Sequence, residues 1–104
     1  MITPVRSRIY WADLGYGPKP WVCVSNNIRN QQLETFLAAR ITTSAKPALD
    51  SVVPLAAADP LVGSVLCDDL VQIFSDEITR ETGALSLSTM TAVSTGLRAA
   101  FALL

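Results

Sequence analysis

The chain contains no histidine, and its two cysteines, Cys23 and Cys67, stand far apart within apolar runs. Triads built on an imidazole base are therefore excluded, as are the usual zinc constellations of clustered His and Cys. Any chemistry must run on Lys, Arg, Ser, Thr, Asp or Glu. These charges are unevenly spread. Residues 1–46 carry Arg6, Arg8, Lys19, Arg29, Arg40 and Lys46 against Asp13 and Glu34, a net of +4, whereas residues 47–104 carry a net of −5. An anionic partner would meet the first half; the plain alternative is solvated surface charge that happens to be asymmetric.

Tyr10, Trp11, Tyr16 and Trp21 lie in that same basic half. Aromatic rings beside cations can stack against planar groups of an anionic partner, so these four are candidate platforms. Tyr10, Trp11 and Trp21 fall in strands and are expected to be core, while Tyr16, in a Gly-flanked loop, is open to either role. Asp68 and Asp69 are candidate hydrogen-bond acceptors. Adjacent strand residues point to opposite faces, so they are not read as a metal pair, and no metal site is expected.

The elements that must position these groups follow from local pattern. Arg8 to Asp13 is aromatic and β-prone; Gly15, Gly17, Pro18 and Pro20 supply turn chemistry; Trp21 to Ser25 is a second β-prone run. Asn26-Asn27 ends it, and the polar stretch Arg29 to Gln32 reads as loop. Thr35 to Thr42 returns to an apolar strand, and Thr43 to Asp50 is another loop. Ser51 to Leu55 is a short strand that Pro54 confines to an edge or an end. Ala56 to Pro60 is ambiguous between helical turn and loop. Gly63 to Cys67 and Leu70 to Phe74 read as two strands bent near Asp68-Asp69. Thereafter the period changes: Leu87, Met90, Val93, Leu97, Ala100 or Phe101, and Leu104 fall on one helical stripe, with Ser86 or Ser88 available as N-cap.

The expected fold is mainly β with a C-terminal α-helix, a small SH3-like β-barrel or curved antiparallel sheet that the helix covers. Residues 1–104 are expected to form a single domain, since half of the residues are hydrophobic and 16% are charged, enough to build one core. No run approaches the roughly 18 apolar residues of a membrane span. Arginines occupy the place of a signal peptide's apolar segment, so a cytoplasmic protein with buried, unpaired thiols is expected.

Five short segments, in order, carry a resemblance. Ile9-Tyr10-Trp11-Ala12-Asp13-Leu14 followed by Lys19-Pro20-Trp21-Val22-Cys23-Val24-Ser25-Asn26 is similar to the opening strands of the MazF/PemK toxins, D-I-Y-x-V-D-L and R-P-V-L-V-V-S-N. Ala38-Ala39-Arg40-Ile41-Thr42-Thr43-Ser44 resembles that family's V-A-P-I-T-S strand end, and Ser64-Val65-Leu66-Cys67-Asp68 its S-V-V-L-C-D segment. Gly83-Ala84-Leu85-Ser86 matches its G-x-L-S entry to the final helix. Three positions depart from the pattern: Lys19 stands where the family has Arg, Asp69 where it has Gln, and Val71 where it has Arg. The Gly15 to Lys19 loop is also shorter than the family's first loop.

The resemblance implies a type II toxin-antitoxin toxin that cleaves single-stranded RNA through the substrate's 2′-hydroxyl, with no metal and no cofactor. It carries the family's catalytic positions onto Lys19, as phosphate ligand and acid for the leaving 5′-oxygen, and Thr42, as donor to a phosphate oxygen. Arg40, two residues before Thr42, shares its strand face and is a candidate second guanidinium. RNA or antitoxin contacts are expected from Tyr16, Asn26, Asn27, Arg40, Thr43, Ser44, Lys46, Asp68 and Asp69. The implied partners are RNA, a MazE-like antitoxin and a second copy of the chain in a homodimer. The alternatives are a catalytically weak or inactive homologue, or a CcdB-type gyrase-binding toxin, acting by protein binding.

Overall fold

The computed structural model describes residues 2–103. The elements run β1 (Arg8–Asp13), β2 (Pro18–Cys23), α1 (Asn27–Gln32), β3 (Thr35–Thr42), β4 (Val52–Pro54), β5 (Ser64–Phe74), a 3-10 turn (Ser75–Glu77), β6 (Arg80–Ala84) and α2 (Leu87–Ala100). All six strands join one antiparallel sheet in the order β4-β5-β3-β2-β1-β6. This is the expected mainly β architecture with its closing helix. Pro54 lies on the edge strand β4, where a residue without an N–H costs no ladder bond.

Alternation along the strands gives the sheet two apolar faces. Ile9, Val22, Ala39, Ile41, Val65 and Cys67 form one cluster, against which Met90, Val93 and Leu97 of α2 pack. Tyr10, Ala12, Trp21, Cys23, Phe36, Ala38 and Ile73 form a second. The α2 helix begins at Ser86, whose side chain accepts from the Thr89 N–H, so Ser86 rather than Ser88 is the N-cap. Of the predicted stripe, Met90 and Val93 are buried, but Leu87 and Phe101 are exposed because the sheet reaches only the middle turns. Leu104 lies outside the described residues. Gly96 lets the helix approach closely: a Cβ there would lie 2.8 Å from the Cys67 sulfur.

Three local expectations are corrected. Residues Arg29 to Gln32, expected as loop, belong to α1. Its stability does not come from an apolar face. Asn26 accepts from the Arg29 N–H at 2.8 Å, and buried Asn30 donates to the Ser25 carbonyl at 3.1 Å while accepting from the Ser25 hydroxyl at 2.5 Å. The two strands expected around Asp68-Asp69 are one, β5, with an irregularity there: Ala39 pairs with Leu70, yet its neighbour Arg40 pairs with Leu66. The second strand starts at Pro18 rather than Trp21, because pairing with β1 extends it. Strand β6, for which the sequence raised no expectation, has no apolar alternation of its own and exists through pairing with β1.

Candidate active site

The ends of β1, β2 and β3 converge at one end of the sheet. The β2–β3 ladder ends with Trp21 opposite Arg40, and beyond that pair Lys19 of β2 and Thr42 of β3 line one cleft. Trp11 of β1 lies opposite Pro20. These strand ends, with Leu61 and Val62 of the loop before β5, enclose a cleft of about 380 Å³ that Lys19, Arg40, Thr42, Thr43, Ser44 and Trp11 line. The expected catalytic pair is thus brought together, with Arg40 beside it.

Each polar group there has spare hydrogen-bonding capacity. The Thr42 hydroxyl accepts from the Ser44 N–H at 3.1 Å, which fixes its oxygen and leaves its proton free to donate. Arg40 gives its Nε–H to the Ile41 carbonyl at 3.2 Å, and its guanidinium carbon lies 5.7 Å from the Trp21 ring centroid. Its two terminal NH₂ groups keep their donors for a ligand. Among the described residues the one ion pair is Arg8 with Glu81, so Lys19 and Arg40 stand outside any direct ion pair, and Asp69 is the carboxylate that shares a cavity with both. The basic half is also less free than its charge suggests. The guanidinium of Arg6 clamps the Val24 carbonyl and Ser94, and that of Arg29 clamps Thr35. Lys19 and Arg40 are the two of its cations that reach the cleft.

A second cavity, of about 360 Å³, lies on the other side of these two cations, with Lys19 and Arg40 in both linings. It adds Leu14, Tyr16, Trp21, Asp69 and Val71. Tyr16 is 87% exposed on the tight loop after β1, where Asp13 accepts from the N–H groups of both Gly15 and Gly17 at 2.9 and 3.0 Å. The remaining expected contacts lie elsewhere. Asn26 caps α1, Asn27 accepts from the Arg6 N–H at 2.7 Å, and Lys46 and Asp68 are exposed outside both cavities.

Tyr10 and Trp21 are buried, as expected for core aromatics, but Trp11 is half-buried and faces the cleft. Its Nε1–H donates to Thr82 at 2.7 Å, and the Arg80 guanidinium stands 4.2 Å over its ring. Trp11, a candidate platform expected in the core, thus faces the cleft, and Leu61 and Val62 line it although no sequence motif singled them out. The loop holding Leu61 and Val62 is fixed by Asp59, which accepts from the Ala56 N–H, the Ser86 N–H and the Thr89 hydroxyl at 2.7, 2.7 and 2.6 Å. Partial burial pushes the Asp59 pKa up, but these hydrogen bonds outweigh it and hold the carboxyl below its ordinary value. Among the described residues no group of three or more His, Cys, Asp or Glu side chains could hold a metal ion, and no helix is long and apolar enough to cross a membrane.

The sequence pattern of the PemK-like, MazF-like toxins of type II toxin-antitoxin systems matches residues 5–101. Endoribonuclease MazF1 of Mycobacterium bovis and endoribonuclease MazF4 of Mycobacterium tuberculosis are each 37% identical to the chain over 103 residues, which span 99% of this chain and 97% of theirs. The structure of an endoribonuclease from a mycobacterial species, solved with its cognate antitoxin, superposes with a TM-score of 0.94 at 37% identity, covering 97% of both chains. A fold, a cleft and a sequence that agree over nearly the whole chain have one reading: the chain belongs to the PemK-like, MazF-like toxins of type II toxin-antitoxin systems.

Proposed function

We propose that this toxin is a metal-independent endoribonuclease, cleaving single-stranded RNA at the Lys19–Arg40–Thr42 cleft. The observation that carries the reading is the convergence of two cations outside any direct ion pair and one oriented hydroxyl at strand ends beside an aromatic ring. In this reaction the substrate's own 2′-oxygen forms a bond to the adjacent phosphorus and the bond to the 5′-oxygen breaks, so no protein nucleophile is required. The protein's task is to stabilise the charge that develops on the phosphorane and to protonate the leaving group. Thr42 donates to a non-bridging oxygen, Arg40 offers its NH₂ groups to the same phosphate, solvent water takes the proton that the 2′-hydroxyl gives up, and Lys19 delivers a proton to the leaving 5′-oxygen. Fragments ending in a 2′,3′-cyclic phosphate and beginning with a 5′-hydroxyl result.

The toxin acts in the cytoplasm as a homodimer, and a MazE-like antitoxin neutralises it. An apolar groove lined by Val24, Leu37, Leu70, Val71, Leu97 and Phe101 supports the self-association, since Leu37 and Phe101 are 40% and 60% exposed on it. The test of the catalytic reading is purified wild type and Thr42→Ala, each incubated with a long single-stranded RNA in chelator. Site-specific fragments from wild type alone are expected. Intact RNA in both tubes would replace this reading with one of protein binding only.

A further inference from the structure

Lys19 and Arg40 form a ridge between two cavities, and only the first cavity contains Thr42. A phosphate held on that ridge leaves its two flanking nucleotides one cavity each. The cavities differ chemically. The Thr42 side offers Trp11, Thr43, Ser44, Leu61 and Val62, all neutral; the far side offers the Asp69 carboxylate, with Tyr16 exposed on the loop at its margin.

We propose that the Asp69 cavity is a nucleobase subsite that selects guanine next to the scissile phosphate, with Asp69 the specificity-determining residue and Tyr16 its stacking surface. This rests on the nuclease reading above. An ionised carboxylate only accepts hydrogen bonds, through two oxygens side by side. On the Watson–Crick edge, guanine alone presents two adjacent donors, N1–H and N2–H. Adenine and cytosine place an acceptor beside their single amino group, and uracil places its N3–H between two carbonyls, so each sets a lone pair against a carboxylate oxygen. Among the described residues Asp69 has no ion-pair partner, which leaves both oxygens free for a base. Single-stranded RNA leaves its Watson–Crick edges open to such contacts. The cavity is at the small end of ligand sites, which suits one base.

The test uses short single-stranded RNAs that carry guanosine or inosine at each nucleotide flanking the cleavage site. Inosine lacks only the N2 amino group. Wild type is expected to cleave the guanosine RNA about tenfold faster than the inosine RNA at one of the two flanks, the scale of a bidentate base contact. Asp69→Asn is expected to cleave the two at equal rates, and Tyr16→Ala to raise KM while keeping the guanosine preference. Wild type that cleaves RNA but treats the two alike at both flanks overturns the subsite and leaves the nuclease reading standing. An inosine penalty of the same size in wild type and Asp69→Asn removes Asp69 from it. Wild type that cuts the long RNA but none of these overturns the subsite alone, and wild type that cuts neither overturns the nuclease reading, and the subsite with it.

Discussion

Gly63 lies directly against the backbone of Thr42: a Cβ at Gly63 would stand 2.2 Å from the Thr42 carbonyl oxygen and 2.9 Å from its carbonyl carbon. Its φ of +122° is also one that side chains rarely adopt. Gly63→Ala must therefore displace the strand end that holds the proposed phosphate donor. The variant is expected to melt at least about 5 °C lower, since an alanine forced to positive φ costs more than about 1 kcal/mol in a domain of this size. Its cleavage rate should fall as well. Gly15→Ala is the control: its φ is +114° but nothing lies within 4 Å of the added carbon, so it should lose stability and keep its rate. Calorimetry and single-turnover cleavage separate the two effects, and equal rates for both variants would dissociate Gly63 from Thr42.

Lys19→Ala and Arg40→Ala are each expected to slow single-turnover cleavage, the first by about 10²–10³-fold, the scale of one lost donor at a charge-stabilising site. Lys19→Arg should recover most of the rate, because the guanidinium keeps the charge and adds a fork that matches phosphate. An Arg40→Ala protein that cleaves at the wild-type rate would remove Arg40 from the site.

Asp59 makes stability depend on acid. Burial raises its pKa and the hydrogen bonds from Ser86, Thr89 and Ala56 lower it, with the lowering dominant. A folded-state pKa below the unfolded value means that the stabilisation is fully present above the unfolded pKa, near 3.9, and is lost as pH falls through the folded one. Chemical denaturation measured from pH 6 down to pH 2 should show that loss in wild type. Asp59→Asn, less stable at pH 6, should show a shallower decline. An identical acid slope in the two proteins would assign the acid sensitivity to other carboxyls.

The cysteines should be inert in the folded protein. Burial, then the neighbouring Asp68 charge, pushes the Cys67 thiol up to about 11, and burial raises Cys23 as well. Both are buried and unpaired. A thiol reagent at pH 8 should label neither until denaturant is added, and then both, because the thiolate is the reactive form. Rapid labelling of native protein at one site would contradict the burial described here.

Much of the architecture was legible locally. Strands β1 and β3 and helix α2 announce themselves through alternation, a 3.6-residue stripe and a serine cap, and those signals depend on neighbours in sequence. The order of the motifs from Ile9 to Ser86 likewise points to the family before any contact is known. Helix α1 was not legible because buried hydrogen bonds of Asn30, rather than an apolar face, hold it. Strand β6 was not legible because its partner β1 lies about seventy residues away, as the pairing of Trp11 with Arg80 records.

The site divides in the same way. Arg40 and Thr42 are two residues apart on one strand, so their shared face follows from the pleat alone. That Lys19 meets them depends on the β2–β3 register, and that Asp69 stands across the same ridge depends on the irregularity in β5. Trp11 alternates like the core residues around it, and only the open end of the sheet leaves it facing a cleft. The amino-acid sequence by itself determined which groups were available for chemistry and which strands carried them. Tertiary structure decided which of those groups share a cavity, because strand register and close backbone approach are set by partners distant in the chain.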